Sequence, residues 1–224
     1  MTERYALYQT DEVPERFQVS NGLSRNIKKR YNIAPGQAAV VVVSRAGERQ
    51  LELMKWGFVP PGAKDMNSIF RYKTYSVRSE QVFEKNLFKE AIRHRRCLVP
   101  ASGFYEWHRA DGVKKPYYIQ LNDQKPFSLA GIYSDWVDKD GKQQSLYSVI
   151  TTEANQEMSA VSERMPLILQ PQDEADWLDD TKTEAGMVYD LMRPYSDDTL
   201  LIHEVSDVVN GTKVDTVKLI NPLS

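Results

Sequence analysis

Apolar residues in this chain fall mainly into short, strand-length runs, many of them alternating with polar positions. "AAVVVVS" is an unbroken β-branched run and predicts a buried strand. "QLELMKWGFVP" alternates and then stops at Pro60, Pro61 and Gly62, a turn or loop. "RYALY", "SLYSVITT" and "TLLIHEV" predict further strands, and "CLVPASGFYEW" predicts one bent at Ser102 and Gly103. "PYYIQL", "NDQK" and "PFSLAGIYSDW" predict a hairpin with Gly131 at a bulge, and "DKDGKQ" a turn. Helical spacing is rarer. "DEVPERF" opens a short helix with Pro14 in an early position. Residues 79–93 place Val82, Phe83, Leu87, Ala91 and Ile92 on one face and predict an amphipathic helix. "PQDEADWLDD" predicts a helix with an acidic first turn, and "TEAGMVYDLM" a weaker one. The helices do not alternate regularly with the strands. That pattern predicts an α+β, mostly antiparallel fold, a barrel or a pair of packed sheets.

Composition narrows the class. The 224 residues are 41% hydrophobic and 27% charged, as expected of an ordinary globular chain with a sizeable core. No repeat, low-complexity tract or long linker divides them, so one domain is expected over residues 1–224. The formal net charge of −2 supplies no global basic field, so a nucleic-acid contact has to come from a local patch. The single cysteine, Cys97, excludes an internal disulfide and suits a reducing cytoplasm. The start of the chain lacks the pattern of a secretory signal, and no apolar run reaches membrane-spanning length.

Few residues announce chemistry. His94, His108 and His203 lack metal-ligand spacing, so neither a metal nor a cofactor is expected. "APGQ" is not a phosphate loop, and no serine stands in a nucleophile elbow. Two basic runs, Lys28, Lys29 and Arg30, and "RHRR" at residues 93–96, suit either a solvated helix end or phosphate contacts. Arg78 and Arg164 are single arginines at strand edges, each expected to have an anionic partner, an internal carboxylate first. Cys97 is expected to be buried and inert. Glu106 is the exception, a carboxylate between Tyr105 and Trp107 in "SGFYEW".

Four features in order, "RYNIAPGQ", "MKWGFVPP" followed by "YSVRSE", "SGFYEW", and "SERMPLIL" with "EVSDVVN", resemble the SRAP family of SOS-response-associated peptidases. The resemblance runs from about residue 4 to the C-terminal end. It implies an SRAP-like fold with a barrel-like β core and a few flanking helices. It also implies a sensor of abasic sites in single-stranded DNA, in which an N-terminal cysteine exposed by loss of the initiator Met crosslinks to the sugar aldehyde as a thiazolidine. Carried over by position, Glu106 matches the proton-handling acid. Arg4 and Arg78 match phosphate-contacting arginines, and Asn32 and Pro35 match a loop lying against DNA. The other positions depart. Thr2 stands at the cysteine, Ser76 at an asparagine that holds the sugar, and Ser162 at a histidine that assists ring opening. Gly62 stands where a tryptophan stacks on a base, and Glu3 where a glycine is usual.

Each departure weakens the family reaction. A threonine hydroxyl is a far weaker nucleophile than a thiolate. Serine does not titrate near neutrality as histidine does. Glycine removes a stacking face, a loss of about 1–3 kcal/mol per base. The expectation is therefore a protein that keeps the scaffold and binding to single-stranded or abasic DNA, with crosslinking lost or weakened. Two other classes fit the same residues: a hydrolase or lyase using an N-terminal Thr2 with Glu106, and a non-catalytic module that binds a protein through the old DNA face.

Overall fold

A computed structural model describes residues 3–60, 62–63, 65–110 (Ala110 by its backbone) and 112–223. Among the described residues are twelve strands: β1 (Arg4–Leu7), β2 (Arg30–Ile33), β3 (Ala38–Arg45), β4 (Glu48–Trp56), β5 (Ser76–Arg78), β6 (Arg96–Ala101), β7 (Gly103–Ala110), β8 (Val113–Leu121), β9 (Phe127–Val137), β10 (Gln143–Glu153), β11 (Arg164–Pro166) and β12 (Leu200–Glu204). Short α-helices accompany them: α1 (Val13–Phe17), α2 (Ser68–Tyr72), α3 (Lys89–His94), α4 (Gln156–Ser159), α5 (Glu174–Leu178) and α6 (Ala185–Tyr189). Among the described residues, no helix is long and apolar enough to cross a membrane.

The strands form two sheets. One is an open antiparallel sheet in the order β12-β8-β7-β1-β2. In the other, β10, β4, β3, β6 and β9 pair in turn, and β9 returns to β10, so the sheet closes as a five-stranded barrel. β5 and β11 flank β10. Among the described residues, only the pairings of β10 with β4 and β5 are parallel. This is the expected α+β, mostly antiparallel fold with a barrel-like core and few helices.

The alternation of side chains assembles the core. Tyr5, Leu7, Phe104 and Ile119 of the open sheet join the barrel's Trp56, Leu98, Leu129, Tyr147 and Ile150 in one continuous apolar cluster. The opposite face of the open sheet carries Ala6, Tyr105, Trp107 and Tyr118, which a C-terminal segment covers with Val205, Val209 and Leu219. β6 and β7 belong to different sheets, and Ser102 makes the crossing between them. Its hydroxyl accepts from the backbone N–H groups of Tyr8 (3.0 Å) and Gln9 (3.2 Å). Gly103 must be glycine because a Cβ there would lie 2.2 Å from the Tyr118 hydroxyl and 2.7 Å from the Ile119 carbonyl oxygen.

Three local expectations are corrected. β8 and β9 do not form a hairpin: β8 pairs with β7 and β12, whereas β9 pairs with β6 and β10, and the "NDQK" stretch carries the chain between sheets. Gly131 is no bulge, since it sits in regular register opposite Cys97 and Val149. A Cβ there would lie 2.8 Å from Cys97 Sγ and 2.9 Å from Val99 Cγ2, so close packing demands the glycine. Residues 79–93 are not one helix. A 3₁₀ turn at Ser79–Gln81 and irregular turns precede α3, yet Val82, Phe88, Ala91 and Ile92 are still buried. The apolar spacing satisfied the core without a continuous backbone ladder, an instance of tertiary packing overriding local propensity.

Gly103→Ala is expected to destabilise the protein by about 1–3 kcal/mol in urea unfolding, because neither the Ile119 backbone nor the buried Tyr118 ring can yield cheaply. The α6 substitution Gly186→Ala, which meets open space, is expected to stabilise by about 0.5–1 kcal/mol in the same assay. Burial also pushes the phenols of Tyr5, Tyr105, Tyr118 and Tyr147 well above their usual range. The folded state therefore keeps protons that the unfolded chain releases above pH ~10. Stability should be intact below that pH and fall as pH rises beyond it, by about 1.4 kcal/mol per pH unit for each such phenol. Tyrosinate absorbance beyond that of the exposed tyrosines should appear together with loss of near-ultraviolet dichroism; titration of all the tyrosines with the dichroism retained would contradict it.

Candidate functional site

In β7, Phe104, Glu106 and His108 point to the barrel side of the open sheet, because side chains alternate along a strand. Phe104 is deep in the core, Glu106 is 2% exposed at its edge, and His108 reaches the rim. A cleft of about 410 Å³ opens above them. One wall carries Glu3, Glu106, Trp107, His108, Arg109 and Lys114; the other is residues 159–164, between α4 and β11. The Lys114 ammonium lies 4.5 Å from the Trp107 ring centroid, a cation–π contact at the mouth.

Glu3 leads from this cleft into a second of about 630 Å³, lined also by Arg4, Pro35, Gly36, Phe70, Tyr75 and Thr212. The Tyr75 hydroxyl donates to Glu3 Oε1 at 3.1 Å. Burial, then the negative charges of Glu3 and Glu106, drive the Tyr75 phenol well above its usual range. At neutral pH it is therefore a fixed donor beside the acids. The Arg4 guanidinium donates to the backbone carbonyls of Glu3 (2.7 Å) and Asn210 (3.2 Å). Its burial lowers its pKa, with Glu3 opposing the shift. A third cleft, about 340 Å³, contains Ser76, Arg78, Tyr72, Lys73 and Lys85.

The structure thus brings Glu106 and Ser162 into one cleft, with Arg4 and Pro35 in the adjoining one. Ser162 Oγ accepts from the Arg164 N–H at 3.2 Å, a local turn contact. Ser76 and Arg78 line the third cleft rather than the one holding Glu106. Ser76 is 7% exposed, and its hydroxyl has no hydrogen-bond partner among the described residues. Arg78 is exposed, with no carboxylate partner among the described residues, contrary to the expected ion pair. Arg164 does have one: it is bidentate to Glu80 at 2.7 and 3.0 Å, which holds the Glu80 carboxyl below its usual range. Thr2 lies outside the described residues.

Asn32 is fully buried. Its amide donates to the carbonyls of Gly211 (2.7 Å) and Val214 (3.0 Å), and its N–H donates to Asp215 (3.0 Å). Arg30 pairs with the same aspartate, and Asn210 accepts from the Trp107 indole at 2.9 Å. Residues 205–215 are therefore a strap that braces Arg4, Trp107 and β2. The motif "EVSDVVN" carries no local signal of this role, because its partners Arg4, Asn32 and Trp107 are distant in the chain and several of the bonds run to backbone carbonyls. The other basic run is also structural. Buried Arg96 donates to the carbonyls of Trp177 (2.6 Å) and Ile92 (2.7 Å), and Arg95 faces Asp135. Cys97 is 0% exposed, and burial raises its thiol pKa, so it is inert as expected. Tyr75 and the hairpin cations Arg109 and Lys114 were missed, since nothing in their local sequence points to a cleft.

Two packed β sheets, with a buried carboxylate and cationic side chains lining adjoining clefts, define an α+β protein with a charged cleft. The chain belongs to the SOS response associated peptidase (SRAP) family, which matches residues 1–212. It is 32% identical over 223 residues to "Abasic site processing protein YoqW" of Bacillus subtilis, spanning 98% of this chain and 99% of that one. It is also 32% identical over 224 residues to "Abasic site processing protein YoaM" of the same organism, spanning 99% and 98%. A crystal structure of a Bacteroides thetaiotaomicron protein has the same fold, with a TM-score of 0.84 at 23% identity over 99% of both chains.

Asn32→Ala is expected to lower stability by about 1–3 kcal/mol, the range for stranding buried acceptors, and to expose residues 205–215 to limited proteolysis. Unchanged stability and protection would remove the brace assigned to Asn32.

Proposed function

We propose that this chain, acting as one domain over residues 1–224, recognises abasic sites in single-stranded DNA without forming a durable crosslink. One observation carries the reading: the buried carboxylate of Glu106 lies in a groove with Arg4 on one shoulder and Arg109 and Lys114 on the other. An abasic sugar has no base to read. It offers an aldehyde and its flanking phosphates, and a carboxylate between cations suits both. The names of the YoqW and YoaM relatives support the same role.

With Met1 removed, Thr2 carries a free α-amine, a group whose reference pKa of ~7.7–8.0 leaves it mostly protonated at neutrality. Glu106 accepts that proton as general base. The nitrogen then bonds to C1′ of the open sugar. The nitrogen gives up its two remaining protons, the aldehyde oxygen takes up two and departs as water, and an imine is left. The Thr2 hydroxyl adds to that imine only weakly, and the oxygen-containing ring reopens. Ser162, in the cleft with Glu106, supplies no titrating proton near neutrality. Ser76 opens onto a different cleft from Glu106 and has one hydroxyl in place of an amide. Glu3 adds negative charge where the strand's phosphates pass.

Denaturing gels with a single strand carrying one abasic site test this. The natural protein should give no lasting band alone and a band after borohydride reduction, and Thr2→Cys should give a band without reductant. A lasting band with the natural protein would overturn the lost crosslink; no band after borohydride would overturn the amine chemistry. Affinity for the strand should fall with salt, by a log–log slope of about −0.7 per phosphate contacted. Salt-insensitive binding, or none, would overturn the phosphate contacts.

A further inference from the structure

Helix α2 separates three clefts and carries two rings that the core does not use. Phe70 is 54% and Tyr72 60% exposed. The helix itself is firmly seated. Ile69 is fully buried under Gly57, where a Cβ would lie 2.3 Å from Ile69 Cγ2, and Trp56 precedes that glycine. The anchor thus holds Phe70 and Tyr72 outward on a fixed base. Two residues apart on a helix, they face different sides. Phe70 lines the cleft that contains Glu3 and Arg4, with its ring edge against Gly36. Tyr72 opens onto the cleft of Gly62 and Arg71, and onto that of Ser76, Arg78 and Lys85.

The surroundings select the occupant. Arg71, Lys73, Arg78 and Lys85 are exposed and have no ion-pair partner among the described residues. Asp65 is the carboxylate that shares a cleft with Tyr72. The Ser76 hydroxyl, buried and unpartnered, lines the cleft of Arg78 and Lys85. Bare aromatic faces interleaved with unpaired cations suit a single nucleic-acid strand, whose bases stack while its phosphates meet the charge. Tyr72 is the aromatic side chain among the described residues that line the cleft with Gly62.

We propose that α2 is the base-stacking platform of this protein: Phe70 takes the base beside the Glu106 cleft, and Tyr72 takes one further along the strand, with phosphates against Arg78 and Lys85. This rests on the single-strand reading above and names the residues that hold the intact nucleotides next to the lesion.

Fluorescence anisotropy can test it with two probes: oligothymidylate, and a strand of the same length with sugar-phosphate units but no bases. Phe70→Ala and Tyr72→Ala should each weaken oligothymidylate binding roughly 5- to 150-fold, the equivalent of one stacked base. Their salt slope should match the natural protein's, because a ring releases no counterions. Arg78→Ala should reduce that slope by about one phosphate contact. The baseless strand should bind the alanine variants and the natural protein alike, and Phe70→Trp should show quenched indole fluorescence on oligothymidylate only. Both rings are exposed, so these variants should fold; unchanged thermal unfolding confirms it. If the alanine variants bind oligothymidylate as the natural protein does, the platform falls and the single-strand reading stands. If the natural protein binds neither strand, both fall. If the variants lose only self-association in sedimentation, α2 is a contact between copies of this chain and the platform is wrong.

Discussion

The Trp56 indole joins the two sheets, and the site depends on that junction. It is fully buried at the end of β4 and donates from Nε1 to the Tyr75 carbonyl at 2.7 Å. Its ring stacks on Tyr147 of the barrel at 6.1 Å and meets the edge of Tyr5 of the open sheet at 5.2 Å. The Tyr5 and Tyr147 hydroxyls close the group at 2.7 Å. Three large rings pack without voids only in a narrow range of geometries, so they fix where β1 lies against the barrel. Arg4 and Glu3 directly precede Tyr5, Ser76 follows Tyr75, and Gly57 follows Trp56 to seat α2. One cluster therefore sets the positions of the cationic shoulder, the donor beside the acids, the buried serine and the aromatic helix.

The acid itself is positioned by strand geometry. Crossing at Ser102 moves the chain from the barrel into the open sheet, and the two-residue period then sends Phe104 into the core, Glu106 to its edge and His108 to the rim. The opposite face, Tyr105 and Trp107, is covered by the C-terminal strap, which Asn32, Arg30 and Asp215 tie to β2. Glu106 is thus backed by packed layers and lines the groove. Burial there keeps its carboxylate among fixed dipoles and charges rather than bulk water, a setting in which such interactions act strongly.

Much of the secondary structure was legible locally, and the failures are instructive. The β-branched run of β3, the alternation of β4 and the Pro14 start of α1 carry their own signals. The β8–β9 hairpin misread had no local remedy: the two strands are close in sequence and well patterned, but their apolar faces are claimed by different sheets. Gly131 looked like a bulge because glycine in a strand usually relaxes the backbone, whereas here it yields space to Cys97 and Val99. Residues 79–93 have helical spacing, but burial of Val82 and Ile92 does not require an unbroken helix between them.

The candidate site divides in the same way. By itself the sequence determined residue chemistry: one carboxylate among aromatics, and an ordered set of motifs that resembles the family, a resemblance that implies cysteine, asparagine and histidine where this chain has Thr2, Ser76 and Ser162. Those are properties of single positions and survive without coordinates. Tertiary structure decided which of them share a cleft. Glu106 and Ser162 line one cleft although 56 positions separate them in the numbering, whereas Ser76 opens elsewhere, Asn32 turns inward and Phe70 and Tyr72 are left outside. Side-chain direction in a packed β protein is set by which sheet claims each face, and that claim is made by residues distant in the chain.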